Sequence, residues 1–352
     1  MPAWSPARVD ERRARDTMTR AKWLLIGGET LAGKEIRELV EDRKLPIDLV
    51  LASAEASERI LTESDGELFV IAPLDAAAVG EAAVIILAGA TATHILAREM
   101  VLASKDGPLL VDATGALEDL PEARLCAPVL DHMPSRGRNL IYVPAHPVAL
   151  ALARILKALK ATPAVESVAT VFEPASERGK AGIDELHKQT INLFNFQAMP
   201  KAVYDAQVSF NLLPRWGEDA PESLAAVQSR IEDELASLAG PLNLKPSSLR
   251  LVQAPVFHSY VMSVWLRFES TGVEAGAITK ALAEAGFEVR GNDVEPGSNS
   301  GVAGQSGITI SDVALDRTNP RACWLWVAFD NLRARADNAL LTAAMLSREV
   351  KR

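Results

Sequence analysis

The run W-L-L-I-G-G at residues 23–28 is an apolar segment that stops on paired glycines, and a helix-compatible stretch, 32–41, follows at once. In that stretch Ile36, Leu39 and Val40 fall at the i, i+3, i+4 spacing of one helical face. A short buried strand that turns tightly into an amphipathic helix is the opening half of a βαβ unit. The pattern recurs: residues 48–52, 83–88, 108–113 and 139–144 are further apolar runs, and 93–103 is helical in character. Strands alternating with helices specify a mostly parallel sheet. Another helix begins at Pro147, because proline suits a first helical turn, and continues through 149–159.

Further along, the texture changes. Residues 165–173 and 249–256 are strand-like, 262–269 alternates with a period near two, and 308–314 and 323–329 add two strands. In the alternating strand Val264, Leu266 and Phe268 supply one face to the domain core or to a partner. Residues 182–195, 221–239 and 276–285 are helical by periodicity, and 333–349 forms a final helix. Long strands with helices collected between them make an α+β domain on one mixed sheet. The glycine- and serine-rich segment 296–307 reads as a mobile surface loop. No internal repeat is visible.

The 352 residues correspond to roughly two domains. Lys plus Arg is 37 against 46 for Asp plus Glu, a net charge of −9. Such a chain repels phosphate backbones and anionic lipid, so neither nucleic acid nor a membrane surface is the expected partner. No apolar run approaches the roughly 20 residues that span a bilayer. The arginine-rich first 22 residues are interrupted by Asp10, Glu11 and Asp16 and read as a flexible tail, neither signal nor transit peptide. Two cysteines, Cys126 and Cys323, are too few for a disulfide framework or a cysteine zinc site, and a cytoplasmic, reducing location is the default.

The first turn, G-G-E-T-L-A-G at 27–33, has glycine at both ends and Thr30 in the middle. Glycines there let the backbone turn tightly and approach a pyrophosphate at a helix N-terminus. Taken alone, the motif fits a ligand-free strand-to-helix turn equally well.

With the rest of the chain, the motifs resemble the aspartate-semialdehyde dehydrogenase family. G-I-D-E-L-H-K-Q-T (182–190) resembles its G-[IM]-x-E-L-x-x-Q, Q-V-S-F-N-L-L-P (207–214) its Q-I-A-F-N-[LV]-[IL]-P, and A-P-V-F (254–257) its V-P-V-F. W-V-A-F-D-N-L-R-x-R-A-x-N-A (326–339) resembles the closing W-V-V-x-D-N-L-R-K-G-A-A-x-N-A, and L-A-S-A (51–54) fits in order. The resemblance implies an α/β chain: a Rossmann-type nucleotide-binding domain at 23–141 plus 330–352, and an α+β catalytic and dimerisation domain at 142–329. It also implies a homodimer, NADPH as hydride source and a cysteine thioester intermediate. By the same resemblance, cofactor contacts fall on Gly27, Gly28, Thr30, Leu31, Ala32, Gly33, Ser53, Glu55, Gly89 and Asn338.

The chain departs from the family where the chemistry lies. The nucleophile of A-N-P-N-C-[ST]-T corresponds to His146 in Y-V-P-A-H-P-V. The family glutamine becomes Glu173, the substrate-carboxylate arginine Gln253, the acid/base histidine Tyr260, and the phosphate-binding lysine falls near Leu224. A thioester step needs a thiolate, and none stands at this turn. Cys126 and Cys323 read as core residues. If the fold is kept, His146, Glu173 and Tyr260 converge, either as an acid/base or ligand-binding trio or as a relaxed site of mutually hydrogen-bonded side chains. No spacing among them marks a metal site. His94, His132 and His187 read as surface or helix-end residues without a cluster around them.

Glu55 replaces the arginine that would meet the 2′-phosphate of NADP, which favours NAD over NADP or leaves no nucleotide at all. Two functions follow. The first is a family homologue without thioester-dependent activity, keeping a dimeric scaffold, with its small-molecule ligand unknown. The second is an active NAD(P)-dependent oxidoreductase of amino-acid biosynthesis that acts on an aldehyde or oxo group without the thioester.

Overall fold

β1 (Ala21–Ile26) buries Trp23 to Ile26 because it runs through the middle of a sheet covered on both faces. The computed structural model describes residues 20–348 apart from 55, 57, 65–66, 105–106 and 292. The expected tail therefore lies outside the described residues up to position 19, as does Glu55.

β1 turns into α1 (Leu31–Asp42), followed by β2 (Ile47–Ser53), the hairpin β3 (Ile60–Ser64) and β4 (Glu67–Pro73), and α2 (Ala76–Glu81). Then come β5 (Val84–Leu87), α3 (Thr91–Ala103), β6 (Leu109–Asp112), β7 (Ala123–Cys126) and β8 (Ile141–Pro144). These strands form one eight-stranded sheet in the order β3-β4-β2-β1-β5-β6-β8-β7, parallel except for the β3/β4 pair. The β3/β4 hairpin and β7 are additions to the strands read from the sequence. One face packs on α2 and α3 through Val79, Ala97 and Val101.

The other face is covered by α1 and by the last helix, α8 (Asn331–Arg348), whose Ala336, Ala339, Leu340, Ala343 and Leu346 enter the same core as Ile36 and Leu39. Arg333 of α8 reaches Glu35, Glu38 and Asp42 on α1 at 3.2, 3.5 and 2.9 Å.

The second unit contains α4 (Pro147–Ala158), β9 (Ala164–Glu173), α5 (Gly179–Phe194), α6 (Leu224–Ala239), β10 (Ser248–Gln253) and β11 (Tyr260–Phe268). It is completed by α7 (Ala275–Glu284), β12 (Glu288–Val289), β13 (Thr309–Leu315) and β14 (Ala322–Phe329). Its mixed six-stranded sheet runs β10-β9-β11-β14-β13-β12, with Val264, Leu266 and Phe268 of β11 fully buried in the core that α4 and α6 share. The E-L-x-x-Q residues of α5 are anchors for a loop. Glu185 accepts the Val203 and Tyr204 N–H groups at 2.7 and 3.1 Å, and Gln189 accepts Val208 and Ser209 at 2.8 and 3.1 Å.

The segment 296–307 is pinned rather than loose, a correction to the composition reading. Gly297 N–H donates to Ser311 Oγ at 2.9 Å, Trp326 Nε1–H donates to Gly297 O at 2.9 Å, and Gly304 N–H donates to Asp330 at 2.7 Å. Val302 is buried against Val261 and Ala328. Among the described residues no helix is long and apolar enough to cross a membrane.

The β1–α1 turn is held by a backbone-to-backbone approach. Gly27 has φ +82°, and a Cβ there would lie 2.4 Å from Gly89 Cα. Gly27→Ala is therefore expected to destabilise the chain by about 2–4 kcal/mol, from left-handed strain plus overpacking. Gly80→Ala, in α2 with nothing within 4 Å, is expected to stabilise it slightly, by about 0.5–1 kcal/mol. Urea unfolding of both variants checks the contrast, and equal effects would contradict it.

Candidate functional site

Where the two sheets meet, a cleft of about 910 Å³ opens between the helix N-termini of the first unit and the β9–α5 connection of the second. On the first side it is lined by Thr30, Leu31 and Ala32 at the start of α1, Gly89, Ala90 and Thr91 at the start of α3, and Thr114 and Ala116 after β6. On the second side stand Glu177, Arg178, Lys180, Glu222 and Arg230, and Arg335 of α8 joins the lining from the first unit.

Of the expected cofactor residues, Thr30, Leu31, Ala32 and Gly89 line the cleft. Thr30 caps α1: Gly33 N–H donates to its Oγ1 at 3.0 Å, and the hydroxyl lies 2.8 Å from Ala88 O. Gly27 and Gly33 serve chain packing, since a Cβ at Gly33 would sit 2.0 Å from Gly27 O. Gly28 lies against the Leu51 side chain, and Ser53 ends β2 outside the cleft lining. Asn338 is buried and donates to Ala145 O at 3.2 Å, tying α8 to the β8–α4 turn rather than facing the cleft. The N-terminus of α3 has no side-chain cap. Ala90 and Thr91 at its start line the cleft, so the positive end of the helix dipole there suits a phosphate.

His94 is a helix-end residue, one of the two readings considered, but not a surface one. It sits in the first turn of α3 but is fully buried, accepts Gly89 N–H at Nε2 (3.0 Å) and places Nδ1 3.7 Å from Asp112 Oδ1. Burial holds its pKa below the usual histidine value, with Asp112 opposing. His187 is exposed on α5, and His132 is half-buried.

Behind the cleft wall the structure brings His146, Glu173, Gln253 and Tyr260 into one buried cluster. His146 is the N-cap of α4: Val148 N–H donates to Nδ1 at 3.2 Å, while its own N–H donates to Glu234 at 2.5 Å. Because Nδ1 accepts, the neutral ring carries its proton on Nε2, which faces Glu177 Oε2 at 3.8 Å. Burial pulls the pKa down to about 3, with Glu177 opposing, so the ring is neutral at pH 7. Its ring packs edge-on to Tyr260 at 5.9 Å.

Glu173 is fully buried, and neither carboxylate oxygen has a hydrogen-bond partner, although Arg178 Nη2 lies 3.4 Å away. Burial pushes it up to about 7, against the pull of Arg178. The Tyr260 hydroxyl is likewise buried without a partner, and burial raises its pKa well above the usual value. The cluster is thus not the mutually hydrogen-bonded set considered from the sequence.

Gln253 is spent on structure. It donates to Glu173 O and Ala254 O at 3.0 and 3.1 Å, and accepts Trp216 Nε1–H at 3.2 Å. Trp216 in turn lies 5.1 Å beneath the Arg178 guanidinium. Leu224 is core.

Sequence reasoning missed the ion network itself. Burial alone would raise Glu177, but Arg335 at 2.8 Å, His146, Arg178 and the Asn331 hydrogen bond together hold it down to about 2. Arg178 pairs with Glu222, and Arg230 lies 3.4 Å from Glu118 and 3.8 Å from Glu222. The only signal was the E-R pair at 177–178, next to Glu173. Among the described residues, no group of three or more His, Cys, Asp or Glu side chains could hold a metal ion.

Cys126 is far from the turn in sequence, yet it pairs with Pro144 in register. Its thiol is buried in the core beneath α8, and burial pushes it up to about 12, as it does Cys323. Neither thiol is poised as a nucleophile.

A family model described as the semialdehyde dehydrogenase dimerisation domain matches residues 152–334. A USG-1 protein homolog of Pseudomonas aeruginosa is 28% identical over 330 residues, 92% of this chain and 96% of that one. An aspartate-semialdehyde dehydrogenase of Rickettsia bellii is 30% identical over 203 residues, 56% of this chain and 59% of the relative. Aspartate semialdehyde dehydrogenase II of Vibrio cholerae, solved in complex with ASA, shares the fold at a TM-score of 0.78 and 20% identity, covering 94% of this chain and 99% of that one.

Glu173 has a folded pKa raised above its unfolded value, so its contribution is full below about pH 4.5 and is lost as pH rises through 7. Relative to Glu173→Gln, the wild type is expected to lose about 3 kcal/mol of stability between pH 4.5 and 8. Urea unfolding across that range measures the difference, and a flat profile would contradict the raised pKa.

Proposed function

The chain belongs to the semialdehyde dehydrogenase family, and we propose that this member keeps the dimeric scaffold and a dinucleotide cleft without the thioester-dependent oxidation of a semialdehyde. The observation that carries this reading is the state of His146. At the N-terminus of α4, its Nδ1 is committed to capping the helix, its Nε2 bears a proton directed at Glu177, and burial keeps the ring neutral. A thioester step needs a polarizable anion there, and both thiols of the chain are buried with pKa values of about 12. Gln253 supports Trp216 instead of offering a cation to a substrate carboxylate.

One observation favours the alternative, an NAD(P)-dependent oxidoreductase working without a thioester. A buried glutamate near 7 with unpartnered oxygens, Glu173, has the proton affinity of a general acid or base at neutral pH.

The dinucleotide reading rests on the cleft residues at the N-termini of α1 and α3, which suit a pyrophosphate and a ribose. A bound nicotinamide would supply hydride chemistry. NAD is preferred over NADP on the charge of Glu55. The homodimer reading rests on apolar side chains left in water within the matched dimerisation domain: Phe194, Phe196, Phe210 and Leu212 are 69, 97, 61 and 60% exposed. Phe194 and Phe210 stack edge to face at 5.8 Å. Clusters of this kind are the mark of an interface.

Purified protein is expected to show no phosphate-dependent oxidation of aspartate semialdehyde with NADP or NAD in a spectrophotometric assay. His146→Cys alone should not create it, because Gln253, Tyr260 and Leu224 remain. Turnover in the ordinary enzyme range, about 1–10³ per second, would reject the reading. In analytical ultracentrifugation at micromolar concentration a dimer is expected, burying on the order of 2,000 Å² or more. Phe196→Asp with Phe210→Asp should shift it toward monomer, and a wild-type monomer would exclude the homodimer.

A further inference from the structure

Arg154, half-buried on α4, is a cation without an anion. Its guanidinium lies 4.8 Å from the centre of the Phe287 ring, and among the described residues it makes no hydrogen bond and no ion pair. Burial lowers its pKa and no carboxylate opposes the shift, yet an arginine keeps its proton at any ordinary pH. A charge taken partly out of water is normally paired, because its desolvation otherwise goes unmet. Other buried arginines of the chain obey that rule: Arg178 lies 3.4 Å from Glu173, and Arg335 lies 2.8 Å from Glu177.

The Arg154 side chain lines a pocket of about 150 Å³ that shares no residue with the cleft. Val129, Leu150, Ile308, Phe329 and Leu341 give it apolar walls. Among the described residues, the other charged side chains of the lining are Arg43 and Asp337, and these are bonded to each other. The pocket therefore carries one uncompensated positive charge. A cavity of about this volume with aliphatic walls accommodates one benzene-sized group. Val129 and Leu341 are 42 and 38% exposed, which leaves a way in from solvent.

We propose that this pocket binds a small monocarboxylic acid with an apolar body of about five to seven carbons, its carboxylate on Arg154 and its body between α4 and α8. A guanidinium that spends none of its N–H groups inside the protein can take both oxygens of a carboxylate. Pro147, next to His146, belongs to the lining, so the occupant rests on the first turn of α4. The proposal is independent of the dinucleotide and catalytic readings, because no residue of the lining belongs to the cleft or to the cluster behind it.

The test is isothermal titration of the full chain with benzoate and with isovalerate, each beside its own amide, which keeps the shape and removes the charge. At least one acid is expected to bind the wild type with a Kd of about 1 mM or tighter, and its amide at least tenfold more weakly. This comparison needs no variant. Arg154→Met, which keeps an unbranched apolar chain over Phe287, should weaken the acid tenfold or more, with the fold checked by circular dichroism. Lys157 stands one turn along α4, outside the lining and 3.3 Å from Asp131. Lys157→Gln removes the same charge and should stay within about twofold of wild type. Failure of both acids to bind, an amide that binds as well as its acid, an affinity unchanged in Arg154→Met, or an equal loss in Lys157→Gln would each overturn the proposal.

Discussion

Glu177 and Arg335 form the ion pair on which the junction between the two sheets turns. Glu177 lies in the short turn after β9, and Arg335 lies on α8, which covers the first sheet. Arg335 donates to Glu177 at 2.8 Å, Asn331 donates to the other oxygen at 2.8 Å, and His146 closes the third side. A buried carboxylate survives ionised only if its desolvation cost is met by such neighbours, and here it is held down to about 2. Removing one partner from a pair of this kind typically costs about 3–5 kcal/mol, because the other charge is left buried. Both residues of this pair line the cleft.

The cluster behind the cleft is organised by substitution rather than by loss. At the position that corresponds to the family's substrate-carboxylate arginine, Gln253 holds Trp216, and Trp216 lies beneath Arg178. At the position that corresponds to its nucleophile, His146 starts a helix. Proton affinities follow: one carboxyl is held near 2, two others, Glu173 and Glu234, are near 7, and the imidazole is near 3. At neutral pH the buried imidazole is therefore neutral while Glu177 is ionised.

The alternating strands and helices of the first unit, and the mixed sheet of the second, were legible because their apolar periods are strong. The hairpin of β3 and β4 was not, since Leu61, Leu68 and Val70 lie exposed near the sheet edge and give no burial pattern. The positions of His146, Glu173, Gln253 and Tyr260 were legible through motif order, but what their side chains do was not. Arg178 with Glu222, Arg335 with Glu177 and His146 with Glu234 lie 44, 158 and 88 residues apart, so no local spacing reveals them. The mobility expected for 296–307 failed for a related reason. Its glycines suggest freedom, but Ser311, Trp326 and Asp330, all further along the chain, tie it down.

The return of α8 to the first sheet has a consequence for how the chain is made. Ala336, Ala339, Leu340 and Ala343 complete the face that Trp23, Leu25 and Ile36 begin, so the unit that leaves the ribosome first is the last to be closed. Until residues near 340 emerge, that face lacks part of its cover. Synthesis at about 5–20 residues per second makes this an interval of tens of seconds. The nascent chain is thus most vulnerable to association and proteolysis at its oldest part, and a premature stop anywhere before α8 would leave a sheet that has no way to finish itself.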